Sequence, residues 1–437
     1  MQPLEIPHQP SILIDRVLPG DKSISHRAAI LASIAEGESI LRNVAPGEDL
    51  ASTIRCLIQL GVEIRSSPNE IRIYGKGLFG LGRSERYLDC GNSGTTARLL
   101  SGVLAGQKFN SVLTGDSSLS CRPMGRIVEP LRHMGANIRT TERGTLPMHI
   151  TGSSLNAIRH TMQVPSAQVK SGVLLAGLYA HGETTVLETS QTRDHTERLL
   201  PVIQKTESQD GRILSIKGGS SVRPFDMTIP GDFSSSAFFM GVGAMIPHSQ
   251  IQLRKVGLNP TRTGLLDVLI KMGVCVRITN RTDDTIEPFG DISVTHHETP
   301  LKGCSLSGKV IPNIIDEIPI LAVLGTLTDS GLEIRSASEL RRKECDRIAA
   351  LVYNLRNMGA EVDEFEDGFF VHPCTLKPAA IKTFGDHRIA MAFTVAALSA
   401  GGGSTIDDTA CINISFPDFF EYLGVHTNRH SYTTMFC

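Results

Sequence analysis

Six times along the chain a run of small and apolar residues reaches a turn and passes into a stretch of alternating residues. The runs are AAILASIAEGESILRNV (28–44), ARLLSGVLAGQKFNSVL (97–113), VLLAGLYAHGETTVLE (173–188), AFFMGVGAMIPHSQIQL (237–253), PILAVLGTLTDSGLEIR (319–335) and AFTVAALSAGGGSTIDD (392–408). Apolar on every side, the first part of each predicts a buried helix. The alternation after the turn predicts a half-buried strand. A second series is interleaved with the first: LGVEI (60–64), MGANI (134–138), MGVCV (272–276), MGAEV (358–362) and LGVHT (423–427). Each follows an amphipathic stretch such as DLASTIRCLIQL or RIAALVYNLRNM and reads as a helix, a C-terminal glycine and a strand. The gap between the second and third copies is about twice the others, and HTERLLPVIQK (195–205) fits there as a degenerate copy. Turns recur at about 65–85 positions. Two interleaved series of similar period predict six repeated βα units that use up the chain.

The tripeptide Pro-Gly-Asp stands at 19–21 and again at 230–232, about half the chain apart, each time before a Ser-bearing helix start. That spacing predicts two similar domains of three repeats, with the chain crossing between them at both sites. The expected boundaries are 20–230 for one domain and 1–19 with 231–437 for the other. The fold class is α/β (α+β).

Composition narrows the function. The 437 residues are 41% hydrophobic and 20% charged, an ordinary globular balance. Lys and Arg number 43 against 45 Asp and Glu, a net charge of −2, so no overall field draws the chain to nucleic acid or an anionic membrane. Any anion has to be met by a local cluster. No apolar run nears the ~20 residues of a membrane span, and MQPLEIPHQP lacks a signal-peptide core. Nine scattered cysteines without a C-x-x-C pair read as reduced thiols. A cytoplasmic location is expected.

That cluster collects in front of the small-residue helices, in DKSISHR (21–27), GNSGTTAR (91–98), PSAQVKS (165–171), GDFSSSA (231–237), IIDEIPI (314–320) and GDHRIAM (385–391). Helix N-termini offer unpaired N–H groups and partial positive charge to anions. Capping alone accounts for the Ser and Thr residues. It does not account for Lys22, Arg27, Arg98 and Arg388, whose charge opposes the helix dipole. The second helices add Arg122, Arg193, Lys343 and Arg347, with 343 and 347 spaced for one helix face. With Lys170 and His387 the cations number about ten, enough for ligands bearing several carboxylates and phosphates. Asp316, Glu317 and Glu344 are the carboxylates suited to acid–base work, and surrounding positive charge would leave them as bases. Neither metal-ligand spacing, a nucleophile elbow nor a dinucleotide loop is present, and Cys121 beside Arg122 reads as incidental.

Taken together, P-G-D-K-S-I-S-H-R, G-N-S-G-T-T-A-R, R-P-M-G-R, S-A-Q-V-K-S, L-R-R-K-E-C-D-R and G-D-H-R-I-A-M resemble the 5-enolpyruvylshikimate 3-phosphate synthases from end to end. The resemblance implies the enolpyruvyl transferase fold, an inside-out α/β barrel in two three-repeat domains, with the active site in the cleft between them. It implies transfer of the enolpyruvyl group of phosphoenolpyruvate to the 5-hydroxyl of shikimate 3-phosphate, with release of phosphate and no metal or organic cofactor. A monomer is expected, with these two small molecules as partners and neither nucleic acid nor membrane. By this likeness Lys22, Ser23, Arg27, Ser166, Ala167, Gln168, Arg193, Asp316 and Lys343 would hold shikimate 3-phosphate. Lys22, Gly94, Arg122, Gln168, Arg347 and Arg388 would hold phosphoenolpyruvate. Asp316 would accept the hydroxyl proton, Glu344 would protonate the methylene carbon, and Lys22 would assist between the two ligands.

Some features depart from the family pattern. Ile414 stands where some members carry a lysine. A-Q-V-K and T-R-D-H-T-E resemble the subgroup with glyphosate-tolerant members, yet that tolerance goes with alanine at the position of Gly94. Inhibition by glyphosate, competitive with phosphoenolpyruvate, is therefore expected here. The alternatives are a UDP-N-acetylglucosamine enolpyruvyl transferase or a silent phosphometabolite binder. The first has a Lys-Asn pair in place of Lys22-Ser23, and the second would lack Asp316, Lys343 or Glu344.

Overall fold

The computed structural model describes residues 3–296 and 298–425. The chain divides into two compact units, one running from Lys22 to Ile229 and one made of the residues up to Asp21 and from Pro230 onward.

In the Lys22–Ile229 unit three four-stranded sheets share one plan. Strand Leu88–Asp89 pairs in parallel with Asn110–Thr114, which pairs antiparallel with Met148–Thr151, which pairs antiparallel with Asn137–Arg139. The same order joins Arg159–Thr161, Glu183–Glu188, Gly211–Lys217 and Gln204–Ser208. In the remaining sheet the parallel edge strand is Asp226–Thr228, from the far end of the unit, beside Glu36–Arg42, Glu70–Lys76 and Glu63–Ser66. Burial alternates along these strands, as the sequence pattern expects of sheets with one wet face. Helices Lys22–Ile34, Gly94–Ala105 and Ala167–Gly177 are buried almost throughout and form the centre. Gly102 and Gly172 let the last two approach backbone to backbone.

The other unit repeats the plan. Leu13–Val17 is the parallel edge of a sheet with Gln250–Gly257, Phe289–Thr295 and Cys275–Thr282. Cys304–Leu306, Leu332–Ile334, Gly368–Val371 and Val362–Phe365 form the second sheet. The third is shorter, with Ala380–Ile381 parallel and Leu4–Ile6 antiparallel to Ser404–Ile406. Its central helices are Phe233–Met245, Ile318–Gly325 and His387–Ser399. Buried helices inside half-exposed sheets are what the two residue patterns predict.

The glycine series has one physical cause. Gly61, Gly135, Gly273, Gly359 and Gly424 have φ of 85°, 95°, 90°, 89° and 67°. In every case the next residue donates its N–H to the carbonyl five positions back, as Val62 does to Leu57 and Ala360 to Leu355. This left-handed cap ends a helix without a Cβ penalty. The degenerate copy lacks it: helix His195–Leu199 stops before Pro201, and the strand starts at Gln204. The strand expected in LGVHT falls at residues 426 and 427, outside the described residues. Among the described residues no helix is long and apolar enough to cross a membrane.

Candidate active site

Two groups of side chains gather the candidate residues, one in each unit. In the Lys22–Ile229 unit the helix that opens at Lys22 supplies three of them. Lys22 Nζ donates to Asp49 Oδ2 at 3.0 Å. Arg27, one turn on, is buried and binds across to the neighbouring elements. Its Nε donates to Thr196 Oγ1 (2.9 Å) and Ser171 Oγ (3.3 Å), and its Nη2 to Ser171 Oγ (3.1 Å) and the Ala167 carbonyl (3.4 Å). Its Nη1 donates back to the Ser23 carbonyl at 2.9 Å. Arg193 Nη1 lies 3.4 Å from Ser23 Oγ. Ser166 caps the Ala167–Gly177 helix by accepting from the Val169 N–H. One guanidinium thus fastens Ser23, Ala167 and the start of the His195–Leu199 helix together.

The Gly94 helix lies beside this group. Ser93 caps it by accepting from the Thr96 N–H at 3.1 Å. Arg98 Nη1 donates to Gln168 Oε1 at 2.7 Å, and Gln168 Nε2 to Thr95 Oγ1 at 2.9 Å. Arg122 Nη2 donates to Asn92 Oδ1 at 2.6 Å and to Ser118 Oγ at 3.1 Å. A Cβ at Gly94 would lie 2.6 Å from Arg98 Nη1 and 3.7 Å from Arg122 Nη1. Gly94 therefore faces two guanidinium groups with nothing of its own in between.

Behind them His26 is fully buried, with Nδ1 2.7 Å from Thr53 Oγ1. Thr53 Oγ1 is 2.6 Å from Thr96 Oγ1, which donates to the capping Ser93. Burial, then the charges of Lys22 and Arg27, hold the His26 imidazole well below its ordinary pKa. It is neutral at pH 7.

In the other unit the group centres on Asp316, just ahead of the Ile318–Gly325 helix. Three cations face its Oδ1: Arg347 Nη1 at 3.5 Å, Arg388 Nε at 3.8 Å and Lys343 Nζ at 4.0 Å. Arg388 Nη1 also donates to the Asp316 carbonyl at 2.9 Å. Arg347 Nη2 donates to Glu344 Oε2 at 2.6 Å and its Nε to Asp386 Oδ2 at 2.8 Å. Asp386 also accepts from the Arg388 N–H at 2.8 Å, capping the His387–Ser399 helix. Burial works against the charge on Arg347, but Asp386, Glu344 and Asp316 outweigh it and raise its pKa. Desolvation draws Lys343 below the ordinary lysine value against the pull of Asp316. Burial, then Asp386, pushes the Cys345 thiol far up, so it stays protonated.

Three readings of the sequence need correcting. Lys343 and Arg347 do not share a helix face: the helix begins at Arg347 behind the Asp346 cap, and Lys343 and Glu344 lie in the loop ahead of it. Arg122 and Arg193 likewise precede the helices starting at Gly125 and His195. Lys170 belongs to neither anion-facing group. Its Nζ is wholly buried between Glu197 Oε1 (2.7 Å) and Glu188 Oε1 (2.9 Å), a structural ion triad. Ile414, where a lysine had been looked for, packs against the apolar core. Arg262 went unnoticed because NPTRTG (259–264) precedes no run of small residues. It is buried, 4.0 Å from Asp316 Oδ2.

Six repeats with cation-rich helix starts describe an enolpyruvyl transferase. The enolpyruvyl transferase NikO from Streptomyces tendae shares this fold, with a TM-score of 0.76 over 97% of this chain and 96% of its own at 16% identity. EPSP synthase from Acinetobacter baumannii superposes with a TM-score of 0.86 at 39% identity, covering 97% of this chain and 98% of that one. The sequence profile of the EPSP synthase (3-phosphoshikimate 1-carboxyvinyltransferase) family matches residues 15–423. The 3-phosphoshikimate 1-carboxyvinyltransferases of Bacillus subtilis and Syntrophomonas wolfei are 45% and 44% identical over 93% of this chain. Those matches span 95% and 96% of the relatives' own lengths. The chain belongs to the EPSP synthase family.

Proposed function

We propose that this chain transfers the enolpyruvyl group of phosphoenolpyruvate to the 5-hydroxyl of shikimate 3-phosphate, a step toward chorismate and the aromatic amino acids. Family membership supports the reaction. The observation that carries its chemistry is the single carboxylate, Asp316, with Arg347, Arg388 and Lys343 at one oxygen and Glu344 held on the same Arg347.

Asp316 takes the proton of the 5-hydroxyl as that oxygen bonds to C2 of phosphoenolpyruvate. Glu344 delivers a proton to the C3 methylene, which becomes a methyl group, and a tetrahedral ketal results. C3 then returns a proton, the C2–O bond to phosphate breaks, and the enolpyruvyl ether and phosphate leave. Arg347 and Arg388, with Arg122 and Lys22, hold the charge of the departing phosphate. Lys343 stands ready beside Asp316 for the acceptor hydroxyl. Ser23, Ser166, Ala167, Gln168 and Arg193 surround the acceptor's phosphate and ring, with buried Arg27 fixing them. Gly94 leaves the space that phosphoenolpyruvate occupies. Both sets of side chains must act on one substrate pair. The reading carries with it a cytoplasmic monomer that needs no cofactor.

Phosphate release from phosphoenolpyruvate tests this, with shikimate 3-phosphate and UDP-N-acetylglucosamine as rival acceptors and no added metal. Release with shikimate 3-phosphate alone is expected. Release with neither, despite tight binding of shikimate 3-phosphate, would leave a silent binder.

A further inference from the structure

The two Pro-Gly-Asp tripeptides stand where the chain leaves the Asp316-bearing unit and where it returns. They lie side by side: the Asp21 N–H donates to the Pro230 carbonyl at 2.8 Å, and the Asp232 N–H to that of Pro19 at 2.9 Å. Arg262, only 4% exposed, stands among the side chains that meet there. Its guanidinium lies 3.8 Å from Asp21, 3.9 Å from Asp232, 3.9 Å from Glu317 and 4.0 Å from Asp316. Its Nη2 donates to Ser234 Oγ at 2.5 Å, and Ser234 donates in turn to Glu317 Oε1. Burying a guanidinium costs several kcal/mol. Here that cost is offset by four carboxylates at nearly equal distance and not by one tight pair, the arrangement of a spacer between acids.

The two oxygens of Asp316 are not equivalent. Lys343, Arg347 and Arg388 face Oδ1, whereas Arg262 faces Oδ2. We infer that Arg262 is a positioning residue: it fixes Oδ2 of Asp316 in the attitude that receives the acceptor proton, and ties it to the aspartates of both Pro-Gly-Asp tripeptides. This rests on the reading of Asp316 as the base. Buried as it is, Arg262 acts through Asp316 and not on substrate. The planar fork matters as much as the charge, because a lysine cannot reach Ser234 and four carboxylates at once.

Arg262→Lys, Arg262→Gln, Ser234→Ala and Asp316→Asn are the variants to compare, by steady-state kinetics, calorimetric binding of shikimate 3-phosphate, and the pH dependence of kcat. Arg262→Lys and Ser234→Ala should bind shikimate 3-phosphate within about twofold of the parent and keep both KM values within about threefold, while kcat falls about tenfold or more. In Arg262→Gln the acid limb of kcat should move to higher pH, since one positive charge 4.0 Å from Asp316 is gone. The charges that remain around Asp316 are Lys343, Arg347 and Arg388, with Glu344, Asp386, Glu317, Asp21 and Asp232 beyond them. A kcat within about twofold of the parent in both Arg262→Lys and Ser234→Ala, or a loss confined to KM, overturns the inference. Should Arg262→Gln fail to fold, those two variants decide. Asp316→Asn separates the premises: if it stays active, the assignment of the base is what fails.

Discussion

Gly102 stands so close to Gly172 that a Cβ on the former would lie 2.1 Å from the carbonyl oxygen of the latter. Two buried helices meet there backbone to backbone, and the same two helices carry Arg98 and Gln168, joined at 2.7 Å. Gly102→Ala cannot be absorbed by a rotamer change, because its neighbour is main chain. A loss of about 1–3 kcal/mol or more is expected, read as a lower urea midpoint, with activity lost as the Arg98–Gln168 pair separates.

Asp316→Asn and Glu344→Gln keep shape and remove proton transfer. Each should lower kcat by about 10²–10⁴-fold while shikimate 3-phosphate still binds. Rapid-quench experiments can separate them, since Asp316→Asn blocks formation of the ketal from the hydroxyl side. A variant of either with parental kcat would remove that residue from the chemistry.

Gly94→Ala places a methyl group toward Arg98 and Arg122. The parent should be inhibited by glyphosate competitively with phosphoenolpyruvate. The variant should show a higher inhibition constant and a somewhat higher KM for phosphoenolpyruvate. Unchanged inhibition would mean that the inhibitor does not use this space.

Lys170→Met should destabilise the chain by about 3–5 kcal/mol, because Glu188 and Glu197 would stay buried without their shared cation. If Lys170 instead served a ligand, the variant would keep its melting temperature and lose binding. Calorimetry of the substrate-free protein distinguishes the two.

His26 gives stability a pH dependence of known sign. Its folded pKa lies well below the model value of 6.5, so the unfolded chain binds the proton first. The contribution is complete above about pH 6.5 and declines as pH falls toward the folded value, by about 1.4 kcal/mol per unit at most. Unfolding free energies at pH 7.5 and 5.5 should differ by less in His26→Gln than in the parent.

The repeats were legible because burial on all sides forces small apolar residues, and because a left-handed helix end calls for glycine, as at Gly61 and Gly359. The copy at 195–205 was faint because Pro201 ends that helix by another means. Asp316, Glu344 and Arg388 could be picked out by their places at helix starts. Lys170 was misplaced because charge and position alone do not separate a ligand cation from one neutralised inside the core. Arg262 left no local signal, since what marks it is four acids drawn from distant parts of the chain.

The positions of the two edge strands bear on how the chain is made. Residues 22–229 are continuous and hold their own closing strand, Asp226–Thr228, so this unit can complete itself on the ribosome. Leu13–Val17, synthesised first, has no partner until Gln250–Gly257 emerges, and Leu4–Ile6 waits for Ser404–Ile406. In gene terms one threefold unit is inserted into another at a point where the severed ends, Asp21 and Pro230, lie a hydrogen bond apart. A short turn joining those ends should yield the outer unit as a protein in its own right.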